Sequence, residues 1–342
     1  MLCVPDTYFP PADNAEWATV APELLGWDTE PIDTLYTYLE AQNTRGFLVL
    51  KNGRIVLEHY WGLSLAGQPF DMESYWYWAS AGKTLTAMLV GIAQELGYLQ
   101  LSESSSLYLG PGWTMLTPEQ EAQITILHQL TMTSGLDDDV PDPYCTDPEC
   151  LIYRAEPGSR WAYHNAPYTL LDGVLESATG QAFSPFFNQH LRDPIDMQGF
   201  WLYSGFNHVF YSTVRDMARF GLLILNRGLW AGVPILQDES YFQAMTKPSQ
   251  TINPSYGYLW WLNGQDTFMV PGLQLPFPGP LTPHAPADMI AAMGKNGQLI
   301  NVVPSQGLVM IRMGDNPDQS LIPLIFQDEL WQHLTPIICP MD

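Results

Sequence analysis

Strand-like sequence stands at both ends of this chain, and helical periodicity fills the stretch between. Phe47-Leu-Val-Leu-Lys51 and Arg54-Ile-Val-Leu-Glu-His-Tyr60 flank Asn52-Gly53. Asn-Gly between two apolar runs specifies a tight hairpin. Three further strands are expected at 289–294, 298–303 and 307–313, with a closing helix near 322–334. Asp28 stands where it can cap a helix that has Pro31 in its first turn. Helices are expected over 167–178, stopped by Gly180, and over 213–227, stopped by Gly228. The expected fold class is α/β in the α+β sense. An antiparallel sheet is completed by both termini and flanked by their helices, with an all-α lobe inserted. Residues 1–30 read as an extension and 31–342 as one domain. Its α/β part is 31–79 and 250–342, and its helical lobe is 80–249. A cleft between two such parts is a common place for a site.

The helical lobe opens on Ser80-Ala-Gly-Lys83. Leu85, Met88, Leu89, Ile92 and Leu96 recur on one helical face before Gly97, so Ser80 sits at a helix start. Side chains three apart share a face about 5–6 Å apart, within reach of a hydroxyl-to-amine hydrogen bond. The chain has only four lysines, Lys51, Lys83, Lys247 and Lys295, so one at a helix start asks for a reason. A capping serine beside a solvated lysine is the plain alternative. For Lys83 to act as a base it must be neutral. Half-neutralising a lysine at pH 7 needs a shift of roughly 3.4 units, or about 4.6 kcal/mol. A second cation about 5 Å away supplies roughly 3 kcal/mol, and partial burial the rest. This reasoning places Lys295 close to Lys83.

Two other motifs carry the same chemistry. Tyr163-His164-Asn165 follows the turn Glu156-Pro157-Gly158. Tyr163 can ionise or relay a proton. Asn165 can hold a substrate carbonyl and the Lys83 amine, or simply cap the helix near Pro167. His164 reads as structural. Lys295-Asn296-Gly297 offers the second cation and lets substrate lie along a strand, but Lys51-Asn52-Gly53 shows that the same triplet also makes a plain hairpin turn. Tyr75-Trp-Tyr-Trp78 could line an apolar pocket, but reads first as buried aromatic core.

Ser80-x-x-Lys83, Tyr163-x-Asn165 and Lys295-Asn296-Gly297, in that order, resemble the three motifs of the penicillin-recognising serine hydrolases. The tyrosine in the second motif is similar to the class C-like branch of β-lactamases, esterases, D-aminopeptidases and 6-aminohexanoate-dimer hydrolases. Ile124–Leu136, Tyr211–Gly221 and Asn301-Val-Val-Pro304 look like that branch as well. The resemblance implies acylation of Ser80, with Lys83 and Tyr163 as proton carriers. It implies an oxyanion hole from the Ser80 and Gln298 N–H groups, and substrate contacts from Asn165, Lys295, Asn296 and Gly297. Asn296 replaces the family's hydroxyl residue, which puts true β-lactamase activity in doubt and leaves a small amide or ester as the expected substrate. A non-hydrolytic sensor on the same fold is the competing expectation.

Composition excludes other classes. A formal net charge of -23 repels nucleic-acid phosphates and anionic lipid, and serves solubility. No stretch is long and apolar enough for a membrane span. No G-x-S-x-G, H-E-x-x-H or phosphate-loop motif occurs, and no metal or cofactor is expected. Cys145 with Cys150, and Cys3 with Cys339, could bridge, which suits a periplasmic or secreted protein; four free thiols in a cytoplasmic one is the alternative. Oligomeric state is not legible.

Overall fold

A computed structural model of the protein describes residues 7–317 and 320–338. Within them Cys145 and Cys150 are bridged; the Cys3–Cys339 pairing lies outside the described residues. Helix α1 (Ile32–Ala41) begins after Pro31, and Asp28 does not cap it. The Asp28 carboxylate instead accepts from Glu30 N at 3.0 Å, closing a local turn before the helix starts. Strands β1 (Thr44–Lys51) and β2 (Arg54–Tyr60) follow. Asn52 and Gly53 join them with φ of 47° and 84°, the geometry that keeps a two-residue hairpin in twist with its strands.

A six-stranded sheet gathers the two chain ends. To β1 and β2 it adds β6 (Trp261–Leu262), β7 (Ile290–Gly294), β8 (Gln298–Val303) and β9 (Leu308–Gly314). The order is β2-β1-β9-β8-β7-β6 and every pair is antiparallel. The β1–β9 seam joins the termini, with Val49 opposite Met310 and Leu50 opposite Val309.

Both faces of this sheet are covered. On one face lies α6 (Val214–Leu225), where a Cβ on Gly221 would stand 2.5 Å from Val309 Cγ1 and 3.2 Å from Ile300 Cγ2. Only glycine lets the helix come so close. On the opposite face, reached by the next residue along the pleat, Asn301 donates to Gln327 and accepts from Trp331 of α7 (Leu324–Ile338). All six positions of β8 are consequently buried.

The middle of the chain is less purely helical than its periodicity implies. It holds α2 (Lys83–Glu95), α3 (Ile126–Leu130), α4 (Asn165–Thr169) and α5 (Leu171–Thr179). It also holds β4 (Phe200–Ser204) and β5 (Asn207–Ser212), which build a small sheet with β3 (Trp76–Tyr77) in the order β3-β5-β4. Gly205, at φ 60°, turns the hairpin. The helix α6 belongs to the main sheet rather than to a separate lobe, because its buried face rests on β8 and β9. The segment before α1 runs beside β2, with Val20 N bonding Ile55 O at 2.9 Å and Ile55 N bonding Ala18 O at 3.0 Å.

Candidate active site

Ser80 sits in a single 3₁₀ turn, Ala79–Gly82, that feeds into α2; the α-helix proper begins at Lys83. Ala79, just before the serine, has φ 47°, a left-handed conformation that a side chain disfavours by roughly 1–2 kcal/mol. Surrounding structure holds that strain. Leu85, Met88 and Leu89 are fully buried and α2 is covered through Ala93, while Leu96 beyond its end is 49% exposed.

Lys83 reaches back across the turn. Its Nζ lies 2.9 Å from Ser80 Oγ and 2.8 Å from Asn165 Oδ1. The amine also stands over the rings of Tyr168, at 4.4 Å, and Tyr163, at 5.3 Å. Lys83 is 4% exposed, and this burial lowers its pKa to about 7. The expectation of a helping second cation is corrected here. Burial alone accounts for the shift, and Lys295 is an exposed side chain on its turn. Aromatic walls remove water from the amine more completely than the Coulomb estimate assumed.

Asn165 is the first residue of α4, and its side chain faces Lys83 rather than capping its own helix. Tyr163, two residues earlier, is clamped between Trp261, stacked at 5.6 Å, and Tyr256, edge-on at 6.3 Å. Burial raises the Tyr163 pKa well above the ordinary tyrosine value, and the Ser80 side chain acts to lower it by less. Burial therefore favours the neutral hydroxyl of Tyr163 over its ionised form. His164 points away into the interior, 2% exposed and held neutral by burial with a pKa of about 4.

The third motif closes the site from the sheet. Lys295-Asn296-Gly297 is the turn between β7 and β8, with Asn296 at φ 66° and Gly297 at φ 77°. It is thus a hairpin turn like Asn52-Gly53, but one that abuts the nucleophile. A Cβ on the preceding Gly294 would lie 2.3 Å from Trp78 O and 3.0 Å from Ala81 N. Asn296 Nδ2 donates to Tyr77 OH at 2.7 Å. The Gln298 side chain is fully buried and tied to Gly314, donating to its carbonyl at 2.7 Å and accepting from its amide at 3.1 Å. Only the backbone of Gln298 remains to meet a substrate.

Three residues of this site escaped sequence reasoning. Tyr168 forms the wall over Lys83, and its spacing of three from Asn165 on one helix was the available signal. Tyr77, expected with its neighbours to be buried core, is instead half-buried like Tyr75 and anchors Asn296. Arg312 is a buried guanidinium with its pKa lowered to about 9 by desolvation. It donates to the carbonyls of Asn296 at 2.6 Å and Gly297 at 3.1 Å, and to those of Gln42 and Asp315. An arginine inside the apolar run Leu308-Val-Met-Ile-Arg-Met313 was its mark in the sequence.

Among the described residues no group of three or more His, Cys, Asp or Glu side chains could hold a metal ion. No described helix is long and apolar enough to cross a membrane.

Over 142 residues, 40% of this chain, the sequence is 27% identical to a β-lactamase of Escherichia coli (strain K12), of which the match spans 37%. In fold the chain is similar to a Bacteroides dorei protein described as a β-lactamase, with a TM-score of 0.70, 18% identity, and coverage of 91% of this chain and 99% of that one. It is similar also to a Bacillus anthracis protein described as a 6-aminohexanoate-dimer hydrolase, with a TM-score of 0.69, 18% identity, and coverage of 98% and 92%. A sequence model of the β-lactamase family matches residues 37–314, most of the chain, and the protein belongs to that family.

Proposed function

We propose that the protein is a serine hydrolase that cleaves a small amide or ester through an acyl-enzyme on Ser80. The observation that carries this reading is the buried Lys83 amine, 2.9 Å from Ser80 Oγ and neutral in a large fraction of molecules at pH 7. A neutral amine has one lone pair. With its N–H groups directed to Asn165 Oδ1, that lone pair accepts the Ser80 proton. The Ser80 oxygen then attacks the substrate carbonyl, and the lysine holds the proton. Tyr163 passes a proton to the departing amine or alcohol as the proton held by Lys83 is returned to it, so that both groups end neutral. Water attacks the resulting ester by the reverse proton path and releases the acid. Backbone N–H groups of Ser80 and Gln298 are the proposed oxyanion donors.

Asn296 supports an amide or ester over a β-lactam. One of its two amide N–H groups is held by Tyr77, which fixes the side chain toward β3 and leaves no hydroxyl at this position for a substrate carboxylate. The net charge of -23 favours neutral or cationic substrates. The test is labelling with a fluorophosphonate, mapped by mass spectrometry, alongside turnover of chromogenic esters, short amide oligomers and a cephalosporin. Labelling on Ser80 and turnover lost in Ser80→Ala support the reading. Stoichiometric labelling without turnover would favour a sensor.

A further inference from the structure

We infer that an aromatic ladder running away from the 295–297 turn is a subsite for an extended, uncharged apolar arm of the substrate, a medium-length alkyl or aryl group. The inference rests on the hydrolase reading of Ser80. It begins with the pleat of β3. Trp76 and Trp78 point into the core at 4% and 0% exposure, so Tyr75 and Tyr77 point the other way and remain half-buried. Tyr77 holds Asn296 through its hydroxyl, and β7 at Gly294 touches the Ser80 turn. The ladder thus starts at the candidate active site.

From Tyr77 the rings continue without a gap. Tyr211 meets Tyr77 edge-on at 6.4 Å, Phe200 stacks on Tyr211 at 5.6 Å and 5°, and Tyr75 stacks on Phe200 at 5.6 Å and 24°. Tyr211, Phe200 and Tyr75, together with Leu65 and Leu202, line a hollow of about 430 Å³, and Tyr77 links its Tyr211 edge to the 295–297 turn. Phe200, Leu202 and Leu65 are 45%, 52% and 59% exposed. Single exposed apolar side chains are ordinary, but a contiguous group is not, because each keeps its surface in water. Among the described residues the charged side chain lining the hollow is Glu73, which repels an anionic arm. The link through Tyr77 to the 295–297 turn, a mainly apolar lining and that carboxylate together specify an uncharged apolar group attached to the reacting carbonyl compound.

The experiment is a series of p-nitrophenyl esters, from acetate through butyrate and hexanoate to octanoate, held below micelle formation. Fully burying a methylene strengthens binding by up to about fourfold. We expect kcat/KM of the wild type to rise about two- to fourfold per methylene. In Phe200→Ala, and independently in Leu202→Ser, the octanoate-to-acetate ratio should fall about tenfold, with acetate turnover within about twofold of wild type. Both positions are exposed, so folding is not at risk. Equilibrium binding of the same esters to Ser80→Ala gives a readout that needs no turnover. Equal acetate hydrolysis by wild type and Ser80→Ala would defeat the hydrolase reading, whereas a binding preference for octanoate that Phe200→Ala removes would still support the subsite. A flat series in both assays, or a slope that neither variant alters, overturns the subsite. If the variants lose binding to phosphatidylcholine vesicles while the slope persists, the ladder docks on lipid and the inference fails.

Discussion

Gly294 and Trp78 approach so closely that a single added methyl would place a carbon 2.3 Å from the Trp78 carbonyl oxygen. This contact sets the distance between the third-motif turn and the turn that carries Ser80. Gly294 has an extended φ of -120°, so its requirement is space and not backbone freedom. Gly294→Ala must push the turn away from the serine, and displacements near 1 Å cost about 10²-fold in rate. Gly82, two residues beyond Ser80, is the control, since its added Cβ would meet Phe210 and Trp201 only at 3.7 Å. Gly82→Ala should keep activity within a few-fold and gain about 0.4–1 kcal/mol of stability. Ester turnover and thermal melting of the two variants check the contrast.

The pKa of Lys83 sets a pH dependence of activity. A base with pKa about 7 is charged and idle below that value, so kcat/KM should climb tenfold per pH unit beneath pH 7 and level off above it. Lys83→Arg, always charged, should lose at least about 10³-fold at every pH. A profile without a limb near 7 would remove Lys83 from the base's role.

Stability should respond to the same group with a defined sign. In the unfolded chain the lysine pKa is near 10.4, and in the folded protein about 7. Between these values the unfolded state binds the extra proton, so stability from this group rises with pH, and below pH 7 the full destabilisation is present. Lys83→Met removes it. Urea midpoints at pH 7 and pH 9 should differ less for Lys83→Met than for wild type by the contribution of this one group.

Tyr163→Phe separates hydroxyl from ring. The ring's stack on Trp261 at 5.6 Å survives the change, so the melting temperature should stay within a few degrees. Proton transfer by a positioned side chain contributes about 10²–10⁴-fold, and kcat should fall by that order with a smaller change in KM. Unchanged kcat would assign the leaving-group proton elsewhere.

Arg312 is predicted to act on the site only through position. Its guanidinium holds the carbonyls of Asn296 and Gly297 and touches no proposed reacting group. Hydrogen bonds from a charged donor contribute about 1.5–3 kcal/mol each, so Arg312→Met should destabilise the protein by about 3 kcal/mol or more. At a temperature where the variant is folded, its pH limb near 7 should remain while KM rises, because Lys83 keeps its walls.

Legibility followed burial. The strands 298–303 and 307–313 were readable because both sheet faces are covered, which writes continuous apolar runs, and Asn-Gly pairs mark the turns. The β4–β5 hairpin was missed because its exposed aromatic side chains break the polar-out alternation that identifies a strand at a surface. Ser80, Lys83 and Asn165 were legible as residue types at helix starts, and the structure brings these three together. Lys295 was placed by arithmetic that took burial to be partial, and it stands exposed instead.

The sequence alone determined which groups could react: a serine three residues before a rare lysine, a tyrosine and an asparagine on one short segment, and a glycine-bearing turn. Those are local properties, set by helix periodicity and turn chemistry. Tertiary structure decided the state of the lysine, the protonation of Tyr163 and the distance from the 295–297 turn to Ser80. These depend on which distant side chains exclude water and which backbones touch: Tyr168 comes from α4 beside Asn165, while Trp261, Gly294 and Arg312 come from the sheet that the chain ends close.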